Sequence, residues 1–220
     1  MQRIPEPELM DEPIQAEAYA NADFDEPHNL FIEKFREVIS TGDIDGLVLD
    51  LGCGPADISI RFARTFPECV IHAVDGAACM LEQGKVRITQ AYLEDRIHLF
   101  HGLIPQFQLP VKKYSFIISN SLLHHLHEPD VLWQYIRKYA DHESTIFIMD
   151  LRRPDTPEEA LRLVTAYSGD EPDILRHDFY NSLCAAFTPD EVEKQLQING
   201  LKNLNLGIIS DRHMVIYGKI

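Results

Sequence analysis

Basic residues are scarce in this chain. Lysine and arginine together number 20 of 220 residues, against 35 aspartates and glutamates, for a formal net charge of −15. Tracking a nucleic-acid backbone needs clustered Lys and Arg, so this balance argues against a nucleic-acid partner, and against an anionic membrane surface for the same reason. Long apolar runs are also missing. Nothing approaches the ~18 consecutive apolar residues of a membrane span, and the opening MQRIPEPELMDEP has no apolar signal core. Cysteine is sparse: Cys53, Cys69, Cys79 and Cys184 form no C-x-x-C pair. They are expected to be core thiols of a reducing compartment, which makes the expected location cytoplasmic.

What is present is an ordinary globular composition, 45% apolar and 25% charged. The acidity is uneven. Residues 1–30 hold eight carboxylates and a single base, Arg3. Residues 1–13 look like an extended arm, and from Ala16 to Ser40 the pattern turns helical, with a break expected near Pro27. A strand–helix alternation follows: LVLDLG, then ISIRFARTF, CVIHAVD, AACMLEQGKVRITQAYL, RIHLFHG, YSFIISN, DVLWQYIRKYA and STIFIMDL. Short apolar strands alternating with amphipathic helices predict a parallel sheet with helices on both faces. The rhythm stops after Leu151, where two helices are expected, around Pro157–Ser168 and Ile174–Ala186. Thr188-Pro189-Asp190-Glu191 then reads as a capping box opening a further helix. LNLGIIS and HMVIYGKI suggest a terminal antiparallel hairpin. The expected organisation is an acidic arm and helical cap over 1–45, then a domain over 46–220 with an insert at about 152–187.

The densest chemistry lies in VLDLGCGPADIS, Val48 to Ser59. A strand ending in G-x-G bends sharply and lets a ligand approach the backbone, while the next helix aims free N–H groups at the same place. Asp75 lies 21 residues past Gly54 at the end of the following strand, where an acid can accept both ribose hydroxyls of an adenosine. A dinucleotide site would want a third small residue to admit its pyrophosphate. That position is Asp57, whose charge would face the phosphates, so a cofactor without phosphate fits better.

These residues are similar to those of the class I S-adenosylmethionine (SAM)-dependent methyltransferases, in their small-molecule branch. Asp50-Leu51-Gly52-Cys53-Gly54-Pro55 resembles the first motif of that family, and Val74-Asp75-Gly76 with Met80-Leu81 resembles the second. Tyr114–Ser119 leading to Leu122-Leu123-His124-His125-Leu126 resembles its fourth strand and the loop after it. The resemblance implies a Rossmann-like, seven-stranded, mostly parallel sheet with the last strand antiparallel. It implies that Asp50 and the Gly52–Cys53–Gly54 backbone face the methionine part of SAM, that Asp75 binds the ribose with Gly76 among the cofactor contacts, and that Met80 packs beneath the adenine. Two positions depart from the family. Gly102 is followed by Leu103 rather than an acid, which leaves the adenine contact to backbone groups at Gly102–Leu103, and Ser115 stands where Asp is common.

Further cofactor contacts are expected from Ser119 and Asn120, toward the amino group of SAM, and from Tyr19 with Phe24, packed on the sulfonium or the adenine, though a hydrophobic staple against the core fits these two rings equally well. For chemistry the candidates are His124 or His125 as a general base, Asp150 at the end of the fifth strand, and Tyr180 in the insert. Asp150 reads equally well as a structural cap. Arg152 and Arg153 read as solvated or paired with the acidic arm. His124, His125 and His127 raise the possibility of a metal, but no carboxylate or cysteine stands at ligand spacing to them, and none is expected. The expected activity is methyl transfer from SAM to an O, N or S atom of a small molecule, with S-adenosylhomocysteine (SAH) as product. A module that binds SAM or SAH without chemistry, or an enzyme using SAM for another reaction, remains compatible with the residues.

Overall fold

In the computed structural model, which describes residues 1–39 and 44–220, seven strands form one sheet. They are β1 (Asp45–Leu51), β2 (Glu68–Asp75), β3 (Ile97–His101), β4 (Tyr114–Asn120), β5 (Ala140–Leu151), β6 (Asn205–Ile208) and β7 (His213–Lys219). Their order is β3-β2-β1-β4-β5-β7-β6. All neighbours run parallel except β7, which is antiparallel to both β5 and β6. The seven-stranded sheet and its terminal hairpin are as expected. Because β1 pairs with β2 on one side and β4 on the other, the winding reverses there, opening a crevice beyond its carboxyl end.

The helices are α1 (Pro13–Asn21), α2 (Asp25–Ile39), α3 (Asp57–Thr65), α4 (Ala78–Gln90), α5 (Asp130–Tyr139), α6 (Pro157–Ser168), α7 (Asp173–Ala185) and α8 (Pro189–Ile198). Alternation along the strands splits the core between two faces. Leu49, Leu51, Ile117 and Ile148 pack with Trp133 and Ile136 of α5 and with Val192 and Leu196 of α8. On the other face Val48, Ile71, Ile118 and Phe147 meet Phe31 and Phe35 of α2 and Phe62 of α3. Phe35 is fully buried and sits edge-on to Phe62 at 4.8 Å and to Phe147 at 5.5 Å between centroids. The α2 helix is thereby part of the core. Burial of each such ring is worth about 1.5–3 kcal/mol.

The interhelical break expected at Pro27 falls earlier, at Ala22–Phe24. There the Asp25 N–H donates to Asp23 Oδ1 at 2.9 Å. Pro27 lies inside the first turn of α2, where a missing N–H removes no helical hydrogen bond. The Thr188 capping box forms as expected, with Thr188 and Glu191 exchanging bonds.

The insert helices α6 and α7 pack together through Ala160, Leu163, Leu183 and Ala186. The arm, residues 1–12, has no regular secondary structure and crosses the carboxyl edge of the sheet. The Ile4 N–H donates to the Cys184 carbonyl at 3.0 Å. Arg3 donates to the carbonyls of Ala185, His124 and Leu126, and stacks 3.9 Å over the Phe187 ring.

Candidate active site

Beyond the carboxyl ends of β1, β2 and β4 lies a cavity of about 540 Å³, within the usual range of small-ligand sites. Its floor is the glycine turn. Gly52 and Gly54 have φ of +69° and +51°, a region that favours glycine. A Cβ on Gly52 would strike Leu122 at 2.8 Å, whereas a Cβ on Gly54 would meet nothing within 4 Å and would stand in the open cavity. Gly54 therefore keeps the backbone accessible to a ligand.

Two carboxylates face this floor. Asp75 accepts the Gly54 N–H at 2.7 Å and the Ala77 N–H at 2.8 Å, one on each oxygen. A carboxylate has about four acceptor sites, so each oxygen can take a further donor. Burial raises its pKa, and those backbone donors offset part of the rise. Asp50 is buried and accepts from Ser59 Oγ at 2.6 Å. Burial pushes its pKa up to about 7, with the Ser59 bond pulling against it and Asp75 repelling it. Across the cavity, Asn120 holds a buried side-chain oxygen with no hydrogen-bond partner. Orphans of this kind are rare in native proteins and point to a missing partner.

Met80 and Tyr19 pack with Ala16 and Ala77 in one cluster beside the cavity. Tyr19 stacks on Phe24 at 4.7 Å, and burial pushes the Tyr19 hydroxyl up to about 12. Tyr19, Asp50, Gly52, Cys53, Gly54, Asp75, Gly76, Met80, Gly102, Leu103 and Asn120 all line this one cavity.

Against this geometry the comparisons with known proteins are specific. Residues 48–142 match the family model described as a methyltransferase domain. Over those residues the chain is similar to methyltransferase domains. A malonyl-[acyl-carrier protein] O-methyltransferase of Priestia megaterium is 34% identical over 74 residues, 34% of this chain and 25% of that protein. Other matching relatives are named as ribosomal RNA and ribosomal protein methyltransferases, and the chain spans 26% and 32% of their lengths. Among solved structures, a SAM-dependent methyltransferase from Aquifex aeolicus superposes with a TM-score of 0.64 at 15% identity, covering 94% of this chain and 97% of that one. The plantazolicin methyltransferase BpumL, in complex with SAH, superposes with a TM-score of 0.70 at 16% identity, covering 94% and 91%. SAH is the product of SAM-dependent methyl transfer, and that neighbour holds it bound. The open Gly54 backbone, the spare acceptor sites of Asp75 and the orphaned Asn120 oxygen suit it.

Four sequence expectations need correction. Ser119 is fully buried, donates to the Leu51 carbonyl at 2.8 Å and does not line the domain's cavity. Asp150 does not face the cavity either. It accepts from Leu123 N at 2.7 Å, His124 Nδ1 at 2.5 Å and Leu151 N at 2.8 Å. Tyr180 packs with the α6–α7 cluster, away from the cavity, because its spacing on α7 turns it toward Leu151 and Leu163. Arg153 pairs with Glu191 at 2.7 Å and donates to the Ala186 carbonyl, so it is neither solvated nor bound to the arm.

Asp57 also behaves differently. Its carboxylate lines the cavity but is held by His28 at 2.6 Å, Arg61 at 2.6 Å and Arg87 at 2.8 Å. Burial alone would raise its pKa, but the His28 and Arg61 hydrogen bonds outweigh that and hold it well below the usual carboxylate range. The charge is matched locally, so Asp57 gives less ground against a pyrophosphate than its sequence position suggested.

The histidine pair is split. His124 Nδ1 is bound to Asp150, and its Nε2 faces Glu6 Oε1 at 3.6 Å. Burial lowers the His124 pKa, but Asp150 outweighs it and leaves it raised. His125 lines the cavity, and burial together with the His124 charge pushes it down to about 3. Such an imidazole accepts protons poorly near neutrality. Sequence reasoning missed Glu6 entirely. It lies 118 residues from His124, on a segment with no periodic pattern, and only the fold brings it there.

Proposed function

We propose that the protein transfers the methyl group of SAM to an O, N or S atom of a small molecule. The observation that carries this reading is the cavity whose floor combines an unobstructed Gly54 backbone with the acceptor-bearing Asp75. Bound SAM would supply an electrophilic methyl group: the acceptor lone pair would take the methyl carbon, the carbon–sulfur electron pair would stay on sulfur to give SAH, and any proton on the acceptor atom would pass to solvent. In this reading Asp75 accepts the ribose hydroxyls, Asp50 and the Asn120 oxygen receive the ammonium, and Met80 and Leu103 flank the adenine. Tyr19 and Phe24 would cover the sulfonium, where an aromatic face attracts a cation.

Much of the catalysis would then be positioning, which alone lowers a bimolecular barrier substantially. The His125 imidazole in the cavity wall is a poor base, so an acceptor that is already nucleophilic suits the site. Its walls carry seven acidic residues (Glu8, Asp23, Asp25, Asp50, Asp57, Asp75 and Glu128) and two arginines, both paired with Asp57. That balance favours a neutral or cationic acceptor over an anionic one. The arm supplies Leu9 and Met10 to the rim, which suits a small acceptor better than a polymer. Incubation with methyl-labelled SAM and a panel of small amines, thiols and phenols tests this: labelled product with stoichiometric SAH is expected. Tight SAH binding with no product from any acceptor would leave a binding module instead.

A further inference from the structure

The arm brings Glu6 against the two histidines in an arrangement that their own interactions do not account for. Glu6 Oε1 lies 3.3 Å from His125 Nδ1 and 3.6 Å from His124 Nε2. Yet Glu6 Oε1 and His125 Nδ1 are both buried with no hydrogen-bond partner. The separations exceed the 2.7–2.9 Å of a charge-assisted hydrogen bond. The 3.3 Å separation matches instead the edge of a coordination tetrahedron, which is about 3.3–3.4 Å for metal bonds of ~2.0–2.1 Å, and the 3.6 Å one lies just beyond it. The three ligand atoms lie within 4.8 Å of one another.

The geometry points to a binding site for one divalent first-row transition ion, of the zinc type, held by Glu6, His124 and His125. Imidazole and carboxylate donors are the set such ions take, whereas magnesium and calcium prefer all-oxygen cages. The second layer is built as well. Asp150 fixes His124 through Nδ1 and leaves Nε2 for the ion, the carboxylate–histidine arrangement that orients metal ligands. Ser182 Oγ donates to the other Glu6 oxygen at 3.3 Å. The arm is held in register beside the site by its own backbone, since the Glu6 carbonyl bonds His127 Nε2 at 2.7 Å. Three protein ligands leave a fourth position for water or a substrate atom. His125 is also a wall of the SAM cavity, so the ion sits one side chain from it.

The site stands apart from the cofactor reading and is tested without SAM. Full-length protein stripped with a chelator is titrated with Zn²⁺ alone and with Co²⁺ alone, following bound metal by elemental analysis and cobalt by its visible absorption. One equivalent per chain is expected, with the absorption of a four- or five-coordinate nitrogen–oxygen site. Glu6→Gln and His125→Asn are expected to weaken binding at least 100-fold while retaining the wild-type circular dichroism and melting transition. Asp150→Asn, whose side chain reaches the ion only by way of His124, is expected to weaken it 10–100-fold. No saturable binding by folded wild-type protein would overturn the proposal. So would binding of unchanged affinity in the Glu6 and His125 variants, which would place the metal on other histidines.

Discussion

Two acids at the carboxyl edge of the same sheet, Asp75 on β2 and Asp150 on β5, do opposite things. Asp75 is partly exposed to the cavity and takes two backbone donors, leaving acceptor sites turned outward. Asp150 is buried and takes three donors, two of them backbone N–H groups and one the His124 ring. Strand-end position alone does not make an acid a ligand. The decisive factor is what the next loop offers it. After β2 the chain turns at Gly76 into α4 and leaves space. After β4, the strand beside β5, the loop folds a 3₁₀ turn, Leu123–His125, back onto Asp150.

The largest expected effect tests the buried partner. Asp150→Ala strands the His124 imidazole and two N–H groups, and should cost about 3–5 kcal/mol, as breaking a buried pair does. A urea midpoint close to wild type would show that Asp150 is dispensable to the fold. Next, Asp75→Ala should weaken SAH binding by about 1–3 kcal/mol, the scale of hydrogen bonds to a charged group, as read by calorimetry. An unchanged dissociation constant would end its assignment to the ribose and with it the contrast with Asp150.

Asp50 sharpens the comparison through pH. Its folded pKa lies well above the ordinary value of 3.8, at about 7, so the native state holds a proton that the unfolded chain has lost. Its contribution to stability is therefore present at low pH and is lost as pH rises toward 7. Affinity for the cationic SAM ammonium should move the other way, tightening up to about tenfold per pH unit below 7 and levelling above it. Calorimetry at several pH values checks this, and Asp50→Asn should flatten the profile. The smallest effect is at Tyr180. Tyr180→Phe should leave turnover within about twofold, because the ring packs away from the cavity; a large loss in kcat at unchanged stability would restore it to the site.

The sheet and the glycine-turn floor of the cavity were legible because their signals are local. Strand alternation, the Gly52–Gly54 turn and the Asp75 spacing each fall within some 25 residues, and the backbone geometry they demand leaves few alternatives. The Thr188 capping box was readable for the same reason. Ser119 was misread because period-two alternation says which face a residue takes, not whether a neighbouring carbonyl will claim its hydroxyl. Tyr180 failed because helical spacing cannot say which of two flanking surfaces a helix will meet. Glu6 was invisible: its partners lie 118 and 119 residues away, and nothing in PEPELMDEP specifies a destination.

That distance has a consequence for how the molecule assembles. Arg3 and Ile4 bond residues roughly 120 to 180 positions away, so their contacts close some of the longest loops in the chain. Loop-closure entropy places such contacts late, after the sheet and its helices offer a surface to dock on. The arm should then release before anything else does. Hydrogen exchange at the Ile4 amide should report an opening free energy well below that of β1 and β4, as a cooperative unit of its own. On that ordering the rim of the cavity is expected to be among the last parts of this protein to fold and among the first to be lost.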